Sequence, residues 1–277
     1  MKQITLLLTF FYSISGCFGL NPSRTYKQTP DKYNMQFTAY DVPTDDGATL
    51  KAWYFPSRTG TTTNLLLVCH NGEGNMGDYL RRADSFTGMG YNVMFFDYRG
   101  YGESSAFEID NNMFIYPHFQ DDVKAMIDFC RKQFVQTFDI YGWGIGAGLA
   151  FGIGYNRPEI KHIIADTPFL SMEDLDERFS SWDEPMEVPF AGYDKKHEPI
   201  YCLDIEPSTR NNTTKQIKLI IGSNDILFTV ADMQSLAAKK KNVIDKDIYI
   251  VQNPDQGDNF RVDKDAYVAV IQKFLAQ

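Results

Sequence analysis

Residues 138–150 read FDIYGWGIGAGLA, a mainly apolar run that passes through three alternating glycines into a series of small residues. The run at Phe138–Tyr141 lacks a regular alternation of apolar and polar residues, as expected of a strand that is buried on both faces. Gly142, Gly144 and Gly146 allow a tight turn and a close approach of the backbone. We therefore predict a buried strand, a sharp turn and a helix in direct succession, a setting that holds either a nucleophile or a bound phosphate. Because no Lys–Ser/Thr pair follows the glycines, a phosphate site is disfavoured.

Short apolar runs alternate with helical segments along the chain, which predicts an α/β fold with a mainly parallel sheet and helices on both faces. A leading antiparallel hairpin is predicted from the alternating segments Tyr33–Tyr40 and Thr49–Phe55 and the turn Thr44–Gly47 between them. The pattern alone equally allows a generic doubly wound fold. The predicted buried strands are Asn64–Cys69, Asn92–Asp97, Phe138–Tyr141, His162–Ala165, Ile217–Ile221 and Asp247–Val251, and the predicted helices are Asp78–Thr87, Phe119–Phe134, Ile145–Tyr155, Val230–Lys241 and Asp263–Leu275.

The length of 277 residues favours one globular domain, which we place at residues 33–277. The longest break in the alternation is the segment 171–214, which is rich in acidic residues, proline and aromatic residues. We predict that this segment is irregular. It is either a lid over a pocket or a surface excursion that covers the edge of the sheet.

The first residues have the features of a bacterial lipoprotein signal. A positive charge near the start precedes a mostly apolar run, Ile4–Phe11, that is too short to span a bilayer. Small residues stand directly before Cys17, which resembles the lipobox whose cysteine is acylated and becomes the new N-terminus. We predict a signal peptide at residues 1–16, lipidation of Cys17 and a polar tether at residues 17–32. An ordinary signal peptide and an uncleaved anchor are the alternatives, and in every case the domain is exported. As a lipoprotein, it is predicted to be anchored to a membrane of the bacterial cell envelope.

The charge balance argues against some classes of partner. The net charge is −9, and it becomes −10 when the predicted signal peptide takes its single lysine away. Such an acidic surface disfavours nucleic acid and electrostatic adhesion to anionic lipid. Beyond Cys17, the cysteines Cys69, Cys130 and Cys202 have unrelated spacings and form no C-x-x-C pair. We therefore expect no metal and no cofactor. The expected partners are the membrane, through Cys17, and an unidentified small molecule or protein.

Four further segments follow predicted strands or turns in a recognisable order. Residues 69–75 read CHNGEGN, residues 97–104 read DYRGYGES, residues 221–225 read IGSND and residues 253–260 read NPDQGDNF. Together with the glycine turn, they resemble the α/β-hydrolase superfamily, and within it the serine hydrolases of the BEM46-like and serine aminopeptidase-like branch. The resemblance covers most of the chain after residue 33. It implies the α/β-hydrolase fold and the chain order serine, acid, histidine for a catalytic triad.

The resemblance puts the nucleophile position at Gly144, the acid at Asp225 and the base at Gln256. Glycine has no side chain that could form an acyl intermediate, and glutamine has no group that titrates near neutral pH. Because removal of either the nucleophile or the base of such a unit costs about 10⁶ in rate, we expect no ordinary serine-hydrolase turnover. Two separate replacements favour a natural pseudoenzyme over an engineered inactive mutant.

The same resemblance implies that the backbone N–H groups of Gly72 and Ile145 are the donors of an oxyanion hole. The turn reads His70-Asn71-Gly72 where the family usually has His-Gly-x, so the glycine stands one position later. This shift puts the role of Gly72 in question.

None of the remaining candidates is a strong substitute for the missing groups. The four histidines are His70, His118, His162 and His197, and none lies in the terminal loop where the base belongs. We interpret His70 as a structural residue and His197 as a surface residue, although the latter could reach the pocket. Cys69 is best explained as a small buried thiol, and Asp225 could persist as a turn cap.

The sequence leaves three functional hypotheses. The leading hypothesis is a catalytically inactive α/β-hydrolase-like lipoprotein of the cell envelope that binds a ligand or partner in the old substrate pocket. The second is a hydrolase of unusual mechanism, an esterase or peptidase in which Asp225, Asp255 or Asp258 acts with water. The third is a structural subunit of an envelope complex, for which the fold supplies only a surface.

Overall fold

The structure is a computed structural model that describes residues 19–206, 216–240, 243–245, 247–253 and 258–277. The predicted signal peptide, Cys17 and Gln256 lie outside these ranges. Within them, no helix combines the length and the hydrophobicity that crossing a membrane requires.

Strands and helices alternate along the described chain, as expected from the sequence. The strands are β1 (Asn21–Pro22), β2 (Thr38–Pro43), β3 (Thr49–Phe55), β4 (Leu65–Cys69), β5 (Glu73–Gly74), β6 (Asn92–Phe96), β7 (Phe138–Trp143), β8 (Ile160–Asp166), β9 (Gln216–Gly222) and β10 (Tyr249–Val251). The α-helices are α1 (Leu80–Gly88), α2 (His118–Gln133), α3 (Ile145–Tyr155), α4 (Met172–Phe179), α5 (Pro199–Cys202), α6 (Val230–Lys239), α7 (Asn259–Val262) and α8 (Lys264–Leu275).

Eight of these strands form one sheet in the order β10-β9-β8-β7-β4-β6-β3-β2. The pairs from β10 to β6 are parallel, whereas β3 pairs antiparallel with both β6 and β2. The predicted mainly parallel sheet with a leading antiparallel hairpin is therefore confirmed.

The sheet is covered on both faces, and β4 shows why its sequence has no alternation. Leu65, Leu67 and Cys69 contribute to the core beneath α2, α3 and α6, whereas Leu66 and Val68 contribute to the core beneath α1 and α8. Each side chain of this strand is buried, so every position needs an apolar residue.

Element boundaries differ from the prediction at a few places. The first hairpin strand begins at Thr38, because Pro30–Tyr33 form a 3₁₀ turn with proline at its first position. The helix that follows the glycine turn spans Ile145–Tyr155, as the sequence predicted. The strands β7 and β8 are each longer than predicted.

The segment 19–29, which we name the N-terminal strap, lies against the domain. Leu20 is buried, and the backbone of β1 pairs with that of β5 in parallel. The Tyr26 ring lies 4.8 Å from the Trp53 ring, measured between centroids. We predicted a tether because this segment is polar and lacks periodicity. A single buried residue, Leu20, and a short strand pairing are enough to hold the segment against the domain, and neither produces a pattern in composition or periodicity.

The segment 171–214 is more regular than predicted. Its described part contains α4, which begins after Ser171, whose side chain accepts a hydrogen bond from the backbone N–H of Asp174. Met172, Leu175 and Phe179 form one buried face of this helix at helical spacing. The short stretch between flanking loops concealed this periodicity in the sequence.

Candidate active site

The parallel register brings the ends of four strands together. Cys69 at the end of β4 pairs with Gly142, and Trp143 at the end of β7 pairs with Asp166. Asp166, the last residue of β8, pairs in turn with Ile220 in β9. The loops that follow these strands therefore meet at one edge of the sheet, where α/β folds commonly bind ligands.

A cavity of about 840 Å³ lies at this edge. Three of the predicted site residues, Gly144, Ile145 and Asp225, line it, whereas Gly72 is not among its described lining residues and Gln256 lies outside the described ranges. The described lining residues are Gly19, Asn21, Pro22, Ser23, Lys27, Gln28, Asn71, Glu73, Gly74, Asp78, Tyr79, Phe114, Trp143, Gly144, Ile145, Asp166, Thr167, Asp225, Leu227, Phe228, Asp258, Asn259 and Arg261. The described residues of 171–206 are absent from this lining, so this part of the segment does not form a lid.

The glycine turn has the sharp geometry of a strand-to-helix elbow. Gly144 adopts φ 57° and ψ −128°, a conformation that strains any residue with a side chain. A Cβ atom on Gly142 would lie 2.1 Å from the carbonyl oxygen of Gly146, and one on Gly146 would lie 2.2 Å from that of Cys69. The two outer glycines are therefore required by close backbone packing.

Asn71 occupies the space next to the elbow. A Cβ atom built on Gly144 would lie 2.9 Å from the Cβ atom of Asn71, closer than such atoms approach in proteins. The Asn71 amide contacts the Tyr79 hydroxyl at 2.7 Å, and the Tyr79 ring packs edge-on against Trp143 with a centroid separation of 4.8 Å. Neighbouring groups thus hold Asn71 in place, and a side chain at position 144 would require it to move.

The turn after β4 does not present the donor that we predicted. The N–H of Gly72 donates to Nδ1 of His70 at 3.1 Å, and the Gly72 carbonyl accepts from the Tyr101 hydroxyl at 2.8 Å. The predicted role of Gly72 as an oxyanion donor is therefore not supported by the geometry. Ile145 is the first residue of α3, so its N–H has no acceptor within the helix. Of the two predicted donors, Ile145 alone lies on the cavity.

Asp225, the predicted acid, follows β9 and lines the cavity. One of its carboxylate oxygens accepts the backbone N–H groups of Leu227 and Phe228 at 3.0 and 2.8 Å. Burial raises the pKa of this carboxyl group, and the two N–H donors oppose that rise. These contacts are those of a residue that caps its own turn.

Comparison with known proteins agrees with the resemblance found in the sequence. Residues 60–188 match the family Serine aminopeptidase, S33. The chain is 28% identical to Protein bem46 of Schizosaccharomyces pombe over 55% of this chain and 51% of that protein. These matches support a BEM46-like assignment within the α/β-hydrolase superfamily.

Two further comparisons concern a sequence relative and a solved structure. An uncharacterized protein of Mycobacterium tuberculosis is 30% identical over 48% of this chain and 46% of its own length. The chain thus spans about half the length of the mycobacterial relative that it matches. The Pyrococcus furiosus esterase Pf2001 superposes with a TM-score of 0.70, at 19% identity, over 93% of this chain and 98% of the esterase. At that identity, the superposition supports the α/β-hydrolase fold.

A buried polar network lies beneath the cavity, and sequence reasoning missed it. Arg82, which is 2% exposed, forms a two-pronged ion pair with Asp258 and lies 4.0 Å from the Trp143 ring centroid. Asp258 stands close to the predicted base position, so this ion pair fixes one end of the loop that contains it. The arginine lies within the predicted helix Asp78–Thr87, and its sequence context has no signal of such a pairing.

The network continues to the end of β8. The Tyr267 hydroxyl and the Asn259 amide both donate to Asp166, each at 2.7 Å. Thr167 follows with φ 57°, a conformation that is rare for a β-branched residue, and its hydroxyl donates to Asp166 at 3.1 Å. Backbone strain of this kind is common in functional sites, but no pattern in the sequence predicted it.

The histidines do not supply a base. His70 is fully buried, and burial lowers its pKa to about 3, so the ring is neutral at physiological pH. His197 is also buried rather than on the surface as predicted, because it packs against Gly152 of α3. His162 contacts Asp139 at 2.8 Å, on a different part of the sheet. Neither these residues nor His118 are among the described residues that line the cavity.

Cys69 is not a displaced nucleophile. Its side chain is fully buried, and burial raises the pKa of the thiol. Only the thiolate form of cysteine attacks as a nucleophile, so the environment keeps this residue inert. The prediction of a small buried thiol agrees with this arrangement.

Proposed function

We propose that this protein is a catalytically inactive α/β-hydrolase-like lipoprotein of the cell envelope that uses the cavity at the elbow to bind a ligand. The observation that carries the proposal is the pair of Gly144 and Asn71. Position 144 lacks a nucleophilic side chain, and the Cβ atom of Asn71 lies where it obstructs one. A site that had lost only its serine would keep the space that serine needs.

The serine and threonine hydroxyl groups that line the described cavity do not replace the missing nucleophile. Ser23 donates to the Thr25 carbonyl at 3.0 Å, and Thr167 donates to Asp166. Asp166 also accepts from Tyr267 and Asn259, so it is already engaged as an acceptor. An activated nucleophile needs an adjacent base that is free to take its proton.

Ligand binding is supported by what the site retains. The cavity has the size of a small-molecule site, and Ile145, the first residue of α3, lines it, so the N-terminus of this helix borders the cavity. Lining groups include both carboxylates and the cations Lys27 and Arg261. A ligand with hydrogen-bonding groups therefore suits the cavity better than a purely apolar one.

The rival hypothesis of an unusual hydrolase finds little support in these contacts. Asp258 is held by Arg82 in a two-pronged ion pair, and Asp225 caps its own turn. Neither carboxylate is therefore free to act as a general base that accepts a proton from water. Asp255, the third candidate, lies outside the described residues.

Reconstruction of the site tests the proposal. The wild-type domain is expected to hydrolyse p-nitrophenyl esters no faster than buffer. The triple variant Asn71→Gly, Gly144→Ser, Gln256→His restores the nucleophile, its space and the base, and it is expected to gain ester hydrolysis. The matched control, with Gly144→Ala in place of Gly144→Ser, has the same space and base but no nucleophile, and it should stay inactive. Wild-type turnover that Asp225→Ala abolishes would refute the proposal and favour the unusual hydrolase.

The anchor is tested separately. We expect the full-length chain to incorporate a labelled fatty acid in a bacterial host and the Cys17→Ser variant to remain unlabelled. Equal labelling of both chains would contradict lipidation at this residue. Co-purification of a fixed protein partner from detergent extracts, without any small-molecule ligand, would favour the structural-subunit hypothesis instead.

A further inference from the structure

The N-terminal strap forms one wall of the cavity. Six of its residues are among the cavity lining: Gly19, Asn21, Pro22, Ser23, Lys27 and Gln28. The segment that precedes the domain in sequence is thus part of the site itself.

Backbone hydrogen bonds hold this wall in place. The N–H of Asn21 donates to the Gly72 carbonyl at 3.0 Å, and that of Ser23 donates to the Gly74 carbonyl at 2.8 Å. Leu20, directly before Asn21, is 1% exposed, and a Cβ atom on Gly72 would lie 2.8 Å from its side chain. The strap is therefore fixed to the turn that follows β4.

Further along the strap, Tyr26 makes a second attachment. Its hydroxyl donates to the buried carboxylate of Asp97 at 2.5 Å. The side chain of Asn75 donates to the carbonyl groups of both Ser23 and Thr25, at 3.1 and 3.0 Å. Two separate loops of the domain thus hold the strap.

The position of the strap limits where the lipid anchor can be. Gly19 lines the cavity and stands two residues after Cys17. Two residues of chain span at most about 7 Å, so a lipid attached two positions before Gly19 would be tethered within about that distance of the cavity wall. This step rests on the lipidation in the proposed function.

Exposed aliphatic side chains lie next to the cavity on two other loops. Ile226 is 44% exposed and stands between the lining residues Asp225 and Leu227. Val262 is 43% exposed and follows the lining residue Arg261. Exposed aliphatic groups beside a lipid anchor suit contact with the outer part of a bilayer.

We propose that the cavity opens onto the bilayer that carries the anchor, and that its ligand is the polar headgroup of a lipid in that bilayer. Three lining carboxylates outside the buried network, those of Glu73, Asp78 and Asp225, outnumber the cations Lys27 and Arg261. This balance favours a headgroup with an ammonium group over a purely anionic one.

The orientation is tested with a fluorophore on single introduced cysteines in the full-length lipidated chain. Native Cys69, Cys130 and Cys202 are buried, so the label goes to the introduced thiol. We use Ile226→Cys and Val262→Cys at the cavity and Thr63→Cys as the control, because residue 63 lies just before β4, at the opposite edge of the sheet. In vesicles with nitroxide-labelled lipid, quenching at 226 and 262 should exceed that at 63 by about twofold or more, as expected for groups at the headgroup level.

The two outcomes separate this inference from the proposed function. If Cys17 carries lipid and the three positions are quenched equally, the orientation is refuted while the anchored pseudoenzyme stands. If Cys17 carries no lipid, the proposed anchoring fails, and the orientation fails with it.

The ligand is tested by native mass spectrometry of the full chain with phosphatidylethanolamine or phosphatidylglycerol. Wild type should retain phosphatidylethanolamine preferentially, and the lining variant Glu73→Lys should weaken or reverse this preference. Glu177→Lys is the matched control, since residue 177 is an exposed acidic residue of α4 away from the described lining. Retention of neither lipid, or an equal effect of the two variants, would refute the headgroup site.

Discussion

The contact between positions 71 and 144 makes a quantitative prediction about stability. Gly144→Ala adds a single methyl group at φ 57°, where strain costs about 1–3 kcal/mol. The new Cβ atom would also lie 2.9 Å from the Cβ atom of Asn71, and such overpacking costs typically about 1–3 kcal/mol. We therefore expect Gly144→Ala to lower the free energy of unfolding by about 2–6 kcal/mol in total.

Asn71→Gly should remove the overpacking that Gly144→Ala introduces and leave the backbone strain at position 144. By itself, it loses the hydrogen bond with Tyr79, at a cost of about 0.5–1.5 kcal/mol. In the double variant, Gly144→Ala should cost less than in the wild type, by about 1–3 kcal/mol, and this difference is the coupling energy of the pair. Urea denaturation of the four proteins measures it.

A remote glycine provides the control. Gly47 has φ 90° and no atom within 4 Å of a Cβ position, so Gly47→Ala should show strain without overpacking. Its effect should add to that of Asn71→Gly within about 0.5 kcal/mol. If the effects of Gly144→Ala and Asn71→Gly also add within that limit, the steric argument is refuted, and with it the view that Asn71 blocks a side chain at the elbow.

Two further predictions concern the buried polar groups. Arg82→Met removes the bidentate partner of the Asp258 carboxylate and leaves Arg261, at 3.4 Å, as its ion-pair partner. Because loss of one partner of a buried pair costs about 3–5 kcal/mol and Arg261 offsets part of that cost, we expect the free energy of unfolding in urea to fall by no more than about 3–5 kcal/mol. Adding Asp258→Asn should recover part of this loss, and a change below about 1 kcal/mol would contradict a structural role for the pair. Burial raises the pKa of Asp97 to about 7, above its unfolded value of about 4, so its contribution to stability is complete below pH 4 and is lost as the pH rises to 7. Asp97→Asn should remove this pH-dependent contribution. In urea titrations, the variant should therefore lose less stability than wild type between pH 4 and pH 7. Parallel pH profiles of the two proteins would refute the assignment of this pH dependence to Asp97.

Local sequence was sufficient for much of the fold. The run of apolar residues in β4 and the glycine turn before α3 are signals within a few residues, because strand burial and backbone turns impose requirements on adjacent positions. The absence of a side chain at Gly144 likewise needs no coordinates. These features predicted the parallel sheet, the hairpin and the absence of a serine at the elbow.

Other features depend on which distant residues meet. The obstruction of position 144 by Asn71, the ion pair of Arg82 with Asp258 and the burial of His197 all join segments that are far apart in the chain. The strap was predicted as a tether because its composition is that of a linker. Its role as a cavity wall depends on its docking against loops of the domain. Composition and periodicity describe a residue and its neighbours, whereas steric exclusion and burial depend on the tertiary partner. The sequence therefore identified a glycine at the elbow, and the packing around it indicated that the space for a side chain there is also occupied.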